Sequence, residues 1–402
     1  MKNLQPFHMS NRFDGIKLLS AAAAKMPEDL IPLSFGFPAM ESYDASLMAQ
    51  CSLKAIEEGG YKCLEYTGAT GPSQIVKWIK ERSKVRCIDV QEENILVTTG
   101  SGQAMDIVAR ALTNEGDEIW VEAPTFFGAL RSFILSGLTM RGFDIDEDGL
   151  KVELVEAALK EAKELGNPIP KFMYIIPNYH NPAGVTLSLE RRKKLAELAE
   201  EYNFFIVEDD AYGELTFTGK ILPAIYSFAP ERVIYMSTFS KTIAPAIRMG
   251  WIVMNPEMIM KLRMLKSDGA TSVLMQEIIA TYLKEIDYEQ HVANLSAIYK
   301  SRLNVMIKAL DEYFGKDITY TIPDGGFFLW VSFDKKVDTT LFEKAAIDNS
   351  VSFIPGEYCY HLNGEKNHIR LCFSYCNEEQ CIEGIKRIAQ VFYEAYPMKS
   401  VV

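Results

Sequence analysis

No apolar run in this chain approaches the roughly 18 residues that a membrane span requires. Its first residues, Met1 to His8, also lack the apolar core of a secretory leader. The two absences lead us to expect a cytoplasmic protein with no membrane partner. Clustered cations are missing as well. Lys and Arg number 42 against 54 Asp and Glu, for a net charge of −12, whereas phosphodiester backbones need basic patches. Nucleic acid is therefore not an expected partner, although a few buried arginines in an acidic protein can still hold small anions. Cysteine is scarce and odd in number, seven in 402 residues, so reduced thiols are expected. Cys372, Cys376 and Cys381 lie close together, but their spacings match no common zinc pattern, and no metal is expected. Repeats and low-complexity segments are lacking too.

What is present is an ordinary globular composition, 48% hydrophobic and 24% charged, in a chain too long for one compact core. From about residue 94 to 255, short apolar runs alternate with amphipathic helical stretches. Strands are expected at Asn94–Thr99, Glu118–Glu122, Leu138–Phe143, Phe172–Pro177, Phe204–Glu208, Val233–Met236 and Met249–Val253. Helices are expected at Gln103–Leu112, Leu150–Leu165 and Leu189–Tyr202, the last capped by Ser188. This alternation predicts an α/β fold: a mostly parallel seven-stranded sheet sandwiched by helices. Beyond residue 256 the pattern changes. A long helix Tyr288–Leu310 precedes a hairpin, Ile318–Thr321 with Gly326–Val331. Strands at Val351–Pro355 and His368–Ser374 and a helix Glu378–Tyr393 complete a small α+β unit. The expected division is a large domain over 51–285 and a small domain over 286–402, with residues 1–50 packing on the latter.

Three apolar runs end in polar clusters. Val233–Met236 leads into Ser237-Thr238-Phe239-Ser240-Lys241, with Arg248 seven residues on; Phe204–Val207 leads into Glu208-Asp209-Asp210-Ala211-Tyr212; and Phe172–Ile176 precedes Asn181-Pro182-Ala183-Gly184. A lysine closing an apolar strand is well placed to form an imine with a bound aldehyde. Ligands of parallel sheets bind beyond the carboxyl ends of the strands, where these clusters fall. Thr99-Gly100-Ser101-Gly102-Gln103 joins a strand to a helix start, and such a start favours a phosphate; Arg248, Thr238 and Ser240 can add donors. Together the clusters suggest a pyridoxal phosphate site. Asp209 is the candidate partner of the pyridine nitrogen, Asp210 being better suited to a surface role. Asn181 and Tyr212 suit the phenolate oxygen, and Phe126 can stack on the ring.

With these elements in this order, the chain resembles the fold-type I pyridoxal phosphate aminotransferases. It is most similar to the branch that holds 2-aminoadipate and kynurenine aminotransferases and the MocR regulators. The resemblance implies a pyridoxal 5'-phosphate imine on Lys241, with Asp209, Asn181 and Tyr212 on the ring. It implies Ser101, Gly102, Gln103, Thr238, Ser240 and Arg248 around the phosphate, and Phe126 on the ring face. Arg370 would hold the substrate α-carboxylate, with Gly36 and Asn181 beside it. Tyr66 would reach the phosphate of a neighbouring subunit, making the active unit a homodimer. The implied reaction moves an amino group from an L-amino acid to a 2-oxo acid, with 2-aminoadipate, aromatic or broad specificity.

Departures from the family pattern are Phe126 in place of a tyrosine and His180 where a glutamine is common. The segment Ser34–Pro38 also differs, so substrate identity is the most open expectation. The rival readings are a β-lyase or decarboxylase on the same scaffold, or a MocR-like effector-binding module. The acidic balance, and a resemblance that begins near Phe13 with no room for a winged helix before it, weigh against the last.

Overall fold

The structure, a computed structural model, describes residues 27–66, 73–362 and 364–397. Residues 1–26 of the expected N-terminal segment, and Thr67–Gly71 of the motif around Tyr66, lie outside them. The strands in chain order are β1 Ile31–Pro32, β2 Ile95–Thr98, β3 Glu118–Ala123, β4 Thr139–Asp146, β5 Gly149–Leu150, β6 Phe172–Ile175 and β7 Phe205–Asp209. There follow β8 Val233–Thr238, β9 Gly250–Val253, β10 Ile318–Tyr320, β11 Phe328–Phe333, β12 Val351–Ser352, β13 Ile354–Pro355 and β14 His368–Cys372.

The large sheet runs β2-β9-β8-β7-β6-β3-β4-β5. Pairings among β8, β7, β6, β3 and β4 are parallel, and β9 is antiparallel to both neighbours. β2 therefore points the same way as β8, and the carboxyl ends of β2, β3, β6, β7 and β8 share one edge. The sheet has eight strands rather than seven. Gly149–Leu150 folds back on Asp146 and Ile145, so the helix expected from Leu150 begins at Val152. The helix Leu189–Tyr202 has the expected bounds, but Ser188 makes no side-chain cap bond.

Both faces of this sheet are covered. Along β6, Phe172 and Tyr174 join one apolar core and Met173 and Ile175 the other. On β7, Val207 belongs to the first core and Ile206 to the second. A strand buried on both sides has no polar residues to mark its pleat, which is why these runs read as continuously apolar.

The smaller sheet, β10-β11-β14-β13, is antiparallel throughout. The single strand expected over Val351–Pro355 is two. β12 pairs in parallel with β1, and β13 pairs with β14. Residues 31–32 are thus sheet partners of the C-terminal part of the chain. Among the described residues no helix is long and apolar enough to cross a membrane. None of the seven cysteines is in a disulfide, and only Cys87 is exposed.

Candidate active site

The edge formed by the strand ends gathers most of the expected residues. β8 runs into a short 3-10 turn, Phe239–Lys241, that lifts Lys241 off the sheet. Its Nζ donates to the Gly36 carbonyl at 2.9 Å and lies 5.6 Å from the Tyr212 ring and 5.8 Å from that of Phe327. Part of the side chain stays open to the cleft, but protein surrounds the amine. Burial pulls its pKa down to about 8; Arg370 and Arg248 push the same way, against Cys372 and Asp209. A lysine in this state reaches its neutral, nucleophilic form far more readily than one in water.

One end of the cleft is built for an anion. Helix Ser101–Leu112 starts at Gly100 with no side-chain cap, which leaves the N–H groups of its first turn for a ligand. Gly100 has φ 77°, and a Cβ there would sit 2.6 Å from Arg248 Nη2. Glycine is what lets the guanidinium lie against the loop. Arg248 itself sits in the left-handed region at φ 49°. The Gln103 side chain is already engaged: Oε1 accepts from Thr99 N at 2.8 Å and Nε2 donates to Asp268 at 2.7 Å. Its backbone N–H is what it can offer. Thr238 Oγ1 donates to the Met249 carbonyl at 2.8 Å and accepts from Ser240 N–H at 3.1 Å, so Ser240 is the freer hydroxyl.

At the opposite end Asp209 is buried on the same face as Tyr174. Its Oδ2 accepts from the Tyr174 hydroxyl at 2.7 Å, and its Oδ1 is buried without a partner. Burial raises the carboxyl to about 6; Tyr174 and Lys241 restrain the rise and Asp210 adds to it. The neighbours Glu208 and Asp210 serve the other face. Glu208, pushed up to about 7 chiefly by burial, accepts from Ile225 N and Tyr226 N. Asp210 is not a surface acid, contrary to expectation. It is buried against Arg86 Nε at 2.9 Å, Asn178 Nδ2 at 2.7 Å and the Tyr235 hydroxyl at 3.0 Å.

Arg370, at the centre of β14, completes the cleft. Its Nη1 donates to Asn181 Oδ1 at 2.9 Å and its Nη2 to the Ser34 carbonyl at 2.6 Å. The guanidinium lies 4.2 Å from the Phe328 ring and 5.3 Å from that of Phe127. Its Nε is buried without a partner, and no acid among the described residues forms an ion pair with it. Burial depresses its pKa, the state of a cation waiting for an anion. Asn181 Nδ2 is 3.5 Å from the Tyr212 hydroxyl, and burial raises the Tyr212 phenol. Gly184 closes the Asn-Pro turn with φ 74°, and a Cβ there would meet the Phe328 carbonyl at 2.8 Å. That contact seats the turn against β11.

Phe126 is half-buried where β3 passes into helix Phe127–Leu135. Tyr66 is 95% exposed and takes no part in the cleft of its own chain. His180, at 1% exposure, lies 3.1 Å from Glu122 and accepts from Ala183 N–H at 3.3 Å, a placement that shapes the Asn181 turn. Three contributors escaped the sequence reading: Tyr174, the Arg86 partner of Asp210, and Glu122. Each is hidden in or beside an apolar run, with no local signal to find it.

The family of class I and II aminotransferases matches residues 49–388, and the chain belongs to it. It is 36% identical to aromatic-amino-acid aminotransferase 1 of Thermococcus litoralis, over 91% of this chain and 88% of that one. It is 31% identical to 2-aminoadipate transaminase of Thermus thermophilus, over 89% of each. Among solved structures, Pyrococcus horikoshii kynurenine aminotransferase in complex with PMP superposes with a TM-score of 0.85. The identity there is 36%, over 92% of each chain. The protein is a pyridoxal-phosphate-dependent aminotransferase. Its residues fit that cofactor: an unpartnered buried carboxylate oxygen, an uncapped helix start under an arginine, and a lysine with a depressed pKa share one cleft.

Proposed function

We propose that Lys241 is the residue that binds pyridoxal phosphate covalently and moves the proton at the substrate α-carbon. When bound, the cofactor supplies an electron-withdrawing ring next to that carbon. Asp209 Oδ1, buried without a partner, would accept from the ring nitrogen and, as an anion, would keep it protonated. Asn181 and Tyr212 donate to the phenolate oxygen, and Phe126 covers one ring face. The first turn of helix Ser101–Leu112, from Ser101, Gly102 and Gln103, holds the phosphate together with Ser240 and Arg248, Thr238 fixing the turn that carries Ser240. Arg370 takes the α-carboxylate, beside Gly36 and Asn181. Lys241, released as a neutral amine when the substrate amine takes its place, would accept the α-proton and hold it for return. The buried, unpartnered Oδ1 of Asp209, in the same cleft as a lysine held near pKa 8, carries this reading.

Aromatic amino acids and 2-aminoadipate are the proposed donors, with a 2-oxo acid as acceptor, on the strength of the relatives' activities. We also propose a cytoplasmic homodimer in which the exposed Tyr66 reaches the neighbouring phosphate. The large domain is assigned to 51–285 and the small one to 286–402, with 1–50 packing on the latter. The pairing of β1 with β12 supports that division.

The test is Lys241→Ala. Borohydride should fix the cofactor to the wild-type peptide that carries Lys241 and to no peptide of the variant. Transfer from tyrosine to 2-oxoglutarate should fall by several orders of magnitude. A variant that retained turnover would sink the assignment.

A further inference from the structure

We infer that Tyr174 is a positioning residue that pins one oxygen of Asp209, so that the other is presented, ionised, to the cofactor nitrogen. The inference rests on the site proposed above. Tyr174 pairs in register with Val207, which puts Asp209 two residues further along the adjacent strand on the same face. Such diagonal neighbours lie further apart than directly paired residues, a gap that the long phenol side chain spans. The hydroxyl sits 2.7 Å from Oδ2, while Oδ1 is buried with no partner.

The position of the phenol does not depend on Asp209. Tyr174 is fully buried, and its ring packs edge-on against Phe133 at 5.4 Å. Its acidity is suppressed, by burial first and then by Asp209, so it remains a donor across the working range. With Oδ2 held by a fixed donor, rotation about the carboxylate bond is arrested and Oδ1 has one direction. The charged and titratable groups felt by this pair are Lys241 and, from the far face of the sheet, Asp210 for Asp209, and Glu122 and Tyr212 for Tyr174. Lys241 favours the anion and the acids oppose it, and Tyr174 supplies a hydrogen bond directly to the carboxylate. Without that bond burial would push the carboxyl higher still, towards a neutral acid that cannot keep the ring nitrogen charged.

Tyr174→Phe keeps the ring and removes only the donor. Its dissociation constant for pyridoxal phosphate, followed by absorbance on the apoprotein, should rise about tenfold or more, the worth of a hydrogen bond to a charged group. The pH below which binding weakens should move upward by comparison with wild type. A merely structural loss would lower the apoprotein melting temperature and leave that pH profile in place. In an Asp209→Asn background, which also spares the fold an under-paired buried charge, adding Tyr174→Phe should change cofactor affinity little. Wild-type affinity with an unshifted pH profile in Tyr174→Phe overturns the inference and leaves the site reading intact. A wild-type protein that takes up no cofactor overturns both.

Discussion

Asp209 and Asp210 are adjacent in the chain, and the pleat of β7 sends them to opposite faces. Asp209 meets Tyr174 and the cleft, whereas Asp210 closes a buried pair with Arg86. Their removal should therefore separate function from stability. Asp209→Asn should cost at least about 100-fold in kcat while leaving the apoprotein as stable as wild type or more so. The sign follows from the raised pKa of about 6. Between about pH 4 and that value the native state holds the proton more readily than the unfolded chain. The Asp209 contribution therefore makes apoprotein stability fall as pH rises through that window, and the slope should flatten in the Asn variant. Arg86→Ala should instead cost about 3–5 kcal/mol in denaturant unfolding, because it strands a buried carboxylate. The sequence singled out Asp209 but could not place Asp210, since in the run Glu208-Asp209-Asp210 nothing local says which acid faces which side of the sheet.

The helix starts are where element and ligand meet. Gly100→Ala would force a Cβ onto Arg248 at a φ of 77°. We expect a loss of about 1–2 kcal/mol and at least about tenfold weaker cofactor binding, the cost of a disturbed charge-assisted contact, readable by melting and by titration. Caps without a ligand behave differently. Asp287 accepts from Gln290 N–H at 3.1 Å at the head of helix Tyr288–Tyr313. Asp287→Ala should cost about 1 kcal/mol. Ser188 makes no such bond, and Ser188→Ala should stay within about 0.5 kcal/mol. The bounds of helix Leu189–Tyr202 were legible because amphipathic periodicity survives partial burial. The cap was not, since a serine at the right position still has to turn its hydroxyl inward. The eighth strand was missed for a related reason: two residues carry no period, and only pairing with Ile145 and Asp146 makes Gly149–Leu150 a strand.

Over the whole molecule, the segment from Leu33 to Phe37 ties distant parts together. Its carbonyls accept from Cys372 N, Arg370, Lys241 and Ser374, so one short stretch touches β14 and Lys241 at once. The proposed dimer extends this sharing between chains. Mixing Lys241→Ala with Tyr66→Ala after mild denaturation and refolding should restore activity, because a hybrid carries one complete site. Mixtures no more active than their parents would place Tyr66 outside catalysis. The apolar runs and the order of polar clusters at their ends were enough to reach the α/β architecture and the family, because parallel sheets expose their chemistry at one edge wherever the chain leaves the core. What only tertiary structure decided is which buried polar groups meet. Tyr174 finds Asp209, Arg86 finds Asp210 and Glu122 finds His180 across 35, 124 and 58 residues of chain. Burial erases the local pattern that would have announced them, and only the tertiary packing of strands, turns and the 3-10 helix that ends at Arg86 brings them together.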